Sequence, residues 1–430
     1  MENSIKSCIE SLDSWLEYIE SLHRFEIEFG LERVSSVFNT LFPDNLSSKV
    51  IIVGGTNGKG TTCSFLESIL LASGYSCGKN TSPHINRFNE RIFINGAESS
   101  DEEIIRAFQQ VELARKDTLL TYFEFTFLAA LTIFEEHKVD YSICEVGMGG
   151  RLDAVNILSP EVSIITTIGL DHTEWLGDSL EKISMEKVAI SRPNKPCVVG
   201  EKHFPRSAKK YLQENQVESF LNDEDFAIDI NDDGHWNIKS ALPEFEGLNR
   251  LPKLDAMHLY QNAACAVLSL IKLDDFHFDL KRVQEGLRNV TVDGRCQILS
   301  QEPLIILDVA HNPESVNALS DFIDSRVGQK RKIAVCSMLG DKDISSALEK
   351  IIDQIDEWYI APLTSPRAAS VEEIQSTIRD LDKDPIVKQF DSIETAYLTA
   401  KKSATKDDCL VVFGSFFVVS DILRHHQNIG

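Results

Sequence analysis

Apolar residues Ile9, Leu12, Trp15, Leu16, Ile19 and Leu22 fall at helical spacing, which predicts an amphipathic helix near the start of the chain. From residue 50 the pattern changes to short apolar runs, several ending in glycine loops, alternating with helical stretches. Val50–Val53, Tyr141–Val146 and Val162–Ile168 read as buried parallel strands, because a strand covered on both faces shows an unbroken apolar run. A helix with Phe65, Leu66, Ile69 and Leu70 follows the first strand, and another is expected over about 122–136. On both sides of Asn231-Asp232-Asp233-Gly234 the alternation has period two, so residues 214–246 are expected to form a small antiparallel appendage. After Gly294 the rhythm restarts, with strands expected at Leu304–Asp308, Lys332–Cys336, Trp358–Ile360, Ile386–Lys388 and Leu410–Phe413. The pattern therefore predicts an α/β protein of two domains. Residues 1–294 would hold a mostly parallel sheet plus the antiparallel β appendage, and residues 295–430 a Rossmann-like α/β unit.

Composition adds exclusions. At ~100–200 residues per domain, a length of 430 agrees with two or three domains. Forty-three basic against 67 acidic side chains give a formal charge of -24, which argues against a bulk nucleic-acid or anionic-membrane binder. No basic segment leads into an apolar core at the start, and no uncharged run reaches the ~18 residues of a membrane span. Nine scattered cysteines without a C-x-x-C pair fit a reducing cytoplasm. The charge is unevenly spread. Residues 214–246 carry a net of -9, whereas residues 49–91, with five Lys/Arg and two acids, stand at +3.

Within that cationic stretch, Val53-Gly54-Gly55-Thr56-Asn57-Gly58-Lys59-Gly60-Thr61-Thr62 takes a strand through a glycine-rich turn into a helix. Such a turn is either simply tight or a phosphate cradle, in which exposed N–H groups and the helix dipole bind the anion beside a lysine. It departs from the strict P-loop pattern because Gly60 separates Lys59 from Thr61. Ser82 stands in Thr81-Ser82-Pro83-His84, a turn or an anion site. Glu145 ends one buried strand, before Gly147-Met148-Gly149-Gly150-Arg151; it reads as a Mg²⁺ ligand or as a partner of Arg151. Asp171-His172 follow the next strand, Lys187 lies in a helical stretch, and Asp308-Val309-Ala310-His311-Asn312 follow a strand of the second unit.

In order, the chain shows FGLERV, GGTNGKGTT, TSPHINRFNER, TYFEFT, EVGMGGRLDAVN, TTIGLDHTEWLG, MEKVAI, YQNAACAV, DGRCQ, DVAHNP and FGSFF. This set resembles the Mur-ligase superfamily and, within it, the bifunctional dihydrofolate synthase/folylpolyglutamate synthase family. Cell-wall Mur ligases carry a sizeable domain before the P-loop, whereas only about 50 residues precede it here. The resemblance implies a P-loop ATPase domain followed by a ligase domain. The implied reaction is ATP-dependent addition of L-glutamate to dihydropteroate, and to tetrahydrofolate or folylpolyglutamates, through an acyl phosphate. It further implies a cytoplasmic monomer using two Mg²⁺ ions.

Residue by residue, the resemblance assigns Asn57, Gly58, Lys59, Gly60, Thr61, Asn262, Arg295 and Asp308 to ATP. It assigns Ser82, Glu145, His172 and a carbamylated Lys187 to Mg²⁺. The pterin segments are Phe29, Gly30, Leu31 and Glu32; Thr121, Tyr122, Phe123 and Glu124; and Leu152, Asp153 and Ala154. His311 and Ser415 fall to the incoming glutamate, and Lys59, Glu145, His172, Lys187 and His311 form the expected catalytic set. The readings weighed against this one are another amino-acid ligase of the superfamily and a non-catalytic nucleotide-binding regulator. The presence of all four metal-site residues argues against the regulator.

Overall fold

A computed structural model describes residues 10–23 and 28–427. Contacts divide the chain into two units: Met1–Ile168 with Asp178–Leu254 and Leu259–Val290, and Gly169–Gly177 with Asp255–His258 and Thr291–Gly430. The first helix covers Leu12–Leu22, capped by the Ser11 hydroxyl, and buries Leu12, Trp15 and Ile19. Ile9, expected in the same stripe, lies outside the described residues.

The first unit is built on β1 (Lys49–Gly54), β2 (Cys77–Asn80), β3 (Ile92–Ile94), β4 (Ala97–Glu98), β5 (Tyr141–Glu145), β6 (Val162–Ile165), β7 (Pro196–Val199) and β8 (Glu218–Leu221). They form one sheet in the order β4-β3-β2-β5-β1-β6-β7-β8. β2 to β8 across that order are parallel, and only the β3 and β4 edge is antiparallel. β1 lies centrally between β5 and β6, so the loops leaving these three strands emerge side by side, where doubly wound sheets bind ligands.

Two expectations change here. The strand begun at Val162 stops at Ile165, because Thr166 and Thr167 turn their side chains to another loop. Residues 214–246 are not one appendage: β8 joins the parallel sheet beside β7. The antiparallel part is the hairpin of β9 (Phe226–Ile230) and β10 (Trp236–Ser240). Its Phe226, Trp236 and Ile238 enter the core of the unit, and the Trp236 indole N–H donates to the Pro252 carbonyl at 2.8 Å.

The second unit carries β11 (Gln297–Gln301), β12 (Leu304–Leu307), β13 (Lys332–Cys336), β14 (Glu357–Ile360), β15 (Ile386–Gln389) and β16 (Cys409–Phe413), in the order β11-β12-β16-β13-β14-β15. β11 is antiparallel and the rest parallel. The helix expected near Pro313 runs Pro313–Val327, with Asn312 as cap and the proline in its first turn, where no amide donor is needed. Among the described residues no helix is long and apolar enough to cross a membrane.

The helix Lys59–Ala72, which follows the glycine loop, is held from behind by the helix Leu280–Asn289. Gly286 is the point of contact: a Cβ there would lie 2.6 Å from the Ile69 Cα. Backbone atoms cannot give way as a flexible side chain does. Gly286→Ala should therefore destabilise the protein by about 1–3 kcal/mol, read from urea unfolding; unchanged stability would show that the two helices part easily.

Candidate active site

β1 runs into Gly54 and then Gly55, whose φ is 142°. A Cβ on Gly55 would lie 1.9 Å from the Thr166 hydroxyl, so only glycine lets this loop lie on the exit of β6. Thr166 then donates its hydroxyl to the Asn57 carbonyl at 2.6 Å, and the Thr167 hydroxyl accepts the Asn57 N–H at 2.9 Å. Gly58 caps the next helix at φ 84° and, as a glycine, makes no side-chain bond to the first-turn N–H groups. These are the donors that an anion at a helix N-terminus takes up. Asn262, buried, faces the loop: a Cβ on Gly58 would lie 2.4 Å from its side-chain oxygen. Thr61 is buried in the first turn.

Two lysines converge on one carbonyl. Lys59 Nζ donates to the Gly55 oxygen at 3.1 Å and to Thr56 at 3.2 Å, and buried Lys187 donates to the same Gly55 oxygen at 2.9 Å. Glu145, buried at the end of β5, accepts the Ser82 N–H at 2.9 Å. A Cβ on Gly60 would lie 3.5 Å from the Glu145 carboxylate, which places this acid beside the first turn of the glycine-loop helix. Arg151 does not neutralise it: its guanidinium pairs with Glu186 at 3.0 Å. Among the described residues no three His, Cys, Asp or Glu side chains are grouped as for a metal. Mg²⁺ ordinarily takes one or two carboxylates plus phosphate oxygens and water, so a carboxylate, a serine and a glycine-lined phosphate loop suit it.

The three segments expected to meet the pterin are joined within the first unit. Arg33, just after Glu32, donates to the Glu124 carboxylate at 3.1 Å. The other Glu124 oxygen accepts the Thr121 N–H at 2.8 Å, capping the helix Tyr122–His137. The Phe123 ring and the Asp153 carboxylate both border Gly147, at 2.9 and 3.2 Å from where its Cβ would be. Asp153 accepts N–H groups from Met148 and Val155 at 2.9 and 3.0 Å, and opens the 3-10 turn Ala154–Ile157. Burial nevertheless pushes its carboxyl up to about 6, against the pull of those amides and of Lys59. Arg192 ties this turn to the segment after Lys187. It donates to the carbonyls of Asn156 and Leu158 and to those of Ala189, Ile190 and Ser191, at 2.7 to 3.2 Å.

His172 belongs to the second unit, with Arg295, Asp308, His311 and Ser415. Asp308 accepts the N–H groups of Cys296 and Ala310, both at 2.7 Å. Arg295 sits over the Phe416 ring at 5.4 Å, and the His311 ring lies 6.0 Å from the same phenylalanine. Ser415 accepts the Val418 N–H at 3.2 Å. His311 Nδ1 faces the Val309 carbonyl at 2.8 Å, while Nε2 is 3.8 Å from Asp171. Burial and then Lys342 hold His311 down to about 4, although Asp171 pulls the other way. Asp171 pairs with Lys342 at 2.7 Å. Burial opposes its ionisation, but Lys342, His172 and His311 outweigh that and hold the carboxyl well below the usual range.

Residues 53–224 match the Mur ligase middle domain, and residues 294–416 the Mur ligase glutamate ligase domain. Over 413 residues, the chain is 37% identical to the dihydrofolate synthase/folylpolyglutamate synthase of Escherichia coli K12, covering 96% of this chain and 95% of that one. The chain belongs to the dihydrofolate synthase/folylpolyglutamate synthase family of Mur ligases. The structure of E. coli FolC in complex with DHPP and ADP superposes with a TM-score of 0.91 at 36% identity, covering 98% of this chain and 99% of that one. A bifunctional folylpolyglutamate synthase/dihydrofolate synthase solved with Mn, AMPPNP and L-glutamate gives a TM-score of 0.89 at 39% identity, covering 97% and 98%. Sequence reading of this family member missed Thr166, Thr167 and Lys342. The two threonines were visible as polar residues closing an apolar run, but Lys342, in Gly340-Asp341-Lys342-Asp343, carried no comparable signal.

Gly58→Ala would force a Cβ against Asn262 at a left-handed φ, so ADP affinity should fall at least about tenfold by titration calorimetry, a loss near 1.4 kcal/mol. Asp153 binds its proton more tightly folded, at about 6, than its ordinary 3.8. The folded state thus holds the extra proton between those values, and stability should decline as pH rises from about 4 to 6. Asp153→Asn should flatten that decline in urea melts; an unaltered slope would place the titration elsewhere.

Proposed function

We infer that this protein is an ATP-dependent amide ligase that adds L-glutamate to dihydropteroate, forming dihydrofolate, and to tetrahydrofolate or folylpolyglutamates. The observation that carries this reading is the match to bifunctional synthases along nearly the whole chain, with the glycine loop, Glu145 and the pterin segments gathered in the first unit. We extend it to a cytoplasmic monomer, with residues 1–294 as the ATP- and pterin-binding domain and 295–430 as the ligase domain.

A free carboxylate lacks an adequate leaving group, so the acceptor carboxylate oxygen first attacks the γ-phosphorus of ATP. A C–O–P linkage forms as the bond to the β-phosphate oxygen breaks, and ADP leaves with that electron pair. The neutral amine of glutamate then attacks the acyl carbon, inorganic phosphate departs, and the amide remains after loss of the amine proton. Positioning and charge neutralisation carry most of such catalysis. The N–H groups after Gly58 and the Lys59 ammonium would hold the phosphates, with Asn262, Arg295 and Asp308 completing the nucleotide contacts. Ser82, Glu145, His172 and Lys187 would hold Mg²⁺, which supplies positive charge against the phosphate oxygens. As an ammonium Lys187 would repel that ion; as a carbamate it presents an anionic oxygen. Carbamylation requires the neutral amine, and Lys187 is buried beside Lys59 at the Gly55 carbonyl. The Phe29–Glu32, Thr121–Glu124 and Leu152–Ala154 segments would take the pterin. His311, kept neutral, and Ser415 would take the glutamate.

Phosphate release should require ATP, Mg²⁺, a pteroyl acceptor and L-glutamate together; turnover indifferent to glutamate would sink the ligase reading. Glu145→Ala should lower kcat on the order of 100-fold or more with the circular dichroism spectrum intact. Lys187→Ala should lose activity that acetate partly restores, since a small carboxylate can stand where the carbamate stood.

A further inference from the structure

Arg91 ends the segment that begins with Ser82, and none of the roles above uses it. Its backbone carbonyl is fixed by the Asn80 side chain and the Thr81 N–H, both at 3.0 Å. Its guanidinium lies against two aromatic rings, 5.7 Å from the Phe88 centroid and 5.5 Å from that of Tyr122. Nε donates to His84 Nδ1 at 2.9 Å, which leaves the His84 proton on Nε2. No carboxylate lies within ion-pair distance of it among the described residues. The adjacent acid, Glu90, is committed to the N–H groups of Ile85, Asn86 and Arg87 at 2.6 to 2.9 Å. Half-buried between rings, the guanidinium remains charged at any working pH. Burial of a cation without a directly paired carboxylate is costly, and aromatic faces offset only part of that cost.

The surroundings indicate which anion would suit the guanidinium. On one side is Tyr122, in a segment assigned to the pterin. Glu145 is near enough to act on the Arg91 charge, and it accepts the N–H of Ser82, at the start of the same segment. A group lying between the pterin and the phosphates is the acceptor's own carboxylate.

We propose that Arg91 is a catalytic residue, whose terminal nitrogens grip the carboxylate of the pteroyl acceptor and remain on it as the acyl phosphate forms. This rests on the ligase reading and adds a contact to it. Oxygen–phosphorus bond formation and loss of ADP proceed as above; Arg91 transfers no proton. It holds the nucleophile in line and offsets the repulsion between carboxylate and γ-phosphate. Both acceptor classes present a carboxylate at the point of attack, so both activities depend on it.

The test compares wild type, Arg91→Ala and Arg91→Lys in the full chain. Arg91→Ala should lower kcat/KM on the order of 100-fold with dihydropteroate and with tetrahydrofolate. ADP affinity should stay within about twofold. Wild type should bind dihydropteroate more tightly than its carboxamide, and Arg91→Ala should lose that preference. A preference retained in Arg91→Ala, undiminished turnover, or a matching fall in ADP affinity would overturn the proposal. Should Arg91→Ala fail to fold, Arg91→Lys decides: a kcat about tenfold or more below wild type supports a bidentate grip, and an unchanged kcat overturns it. Wild-type enzyme without phosphate release in the complete mixture would instead sink the ligase reading itself.

Discussion

Thr166 and Thr167 leave β6 and hold the Asn57 peptide from both sides, one hydroxyl on its carbonyl and the other on its N–H. This grip is possible only because Gly55 brings no Cβ between the two strands' loops. The local direction of the chain follows from it. With Asn57 pinned, Gly58 turns left-handed, the helix begins at Lys59, and its first N–H groups point to the carboxyl edge of the sheet. Asn262 and Glu145 are placed against that same turn by glycines that leave them room. A loop displaced by one side chain would carry the start of the helix at Lys59 with it.

The charges follow a division of labour. A chain at -24 has to gather anionic substrates, and in the first unit a helix N-terminus and Lys59 present positive ends that the fold has already oriented. In the second unit the cation Lys342 is matched by Asp171, which stays ionised, while burial and then Lys342 keep the neighbouring His311 neutral. The acidic hairpin takes no part in this. Its apolar residues serve the core and its acids face solvent, so its charge favours solubility without reaching the site.

What could be read in the sequence depended on how local its cause was. β1, β5, β12, β13 and β16 were legible because strands buried on both faces write unbroken apolar runs. β2 was hidden: its Cys77-Gly78-Lys79-Asn80 reads as polar, yet Lys79 is buried against Glu67 and over the Phe93 ring at 4.1 Å. β8 was mistaken for part of the appendage because its neighbours' acidity masked a pairing with β7. At the site, the glycine loop and Glu145 were visible as strand-end chemistry. The joining of the pterin segments through Arg33 and Glu124 was not, since it depends on residues 91 positions apart. Lys342 was hidden for the same reason, its partner lying 171 positions away.

Arg192 gives the first unit a mechanical property that no single binding group has. With one nitrogen on the carbonyls just past Lys187 and the other on those of the turn after Asp153, it is a crosspiece between the segment we propose for the pterin and the one we propose for the metal. The two ends are therefore not independent modules that selection can tune separately. A loop reshaped for a bulkier acceptor would drag on the backbone that carries Lys187, and altered acceptor preference would travel with altered nucleotide handling.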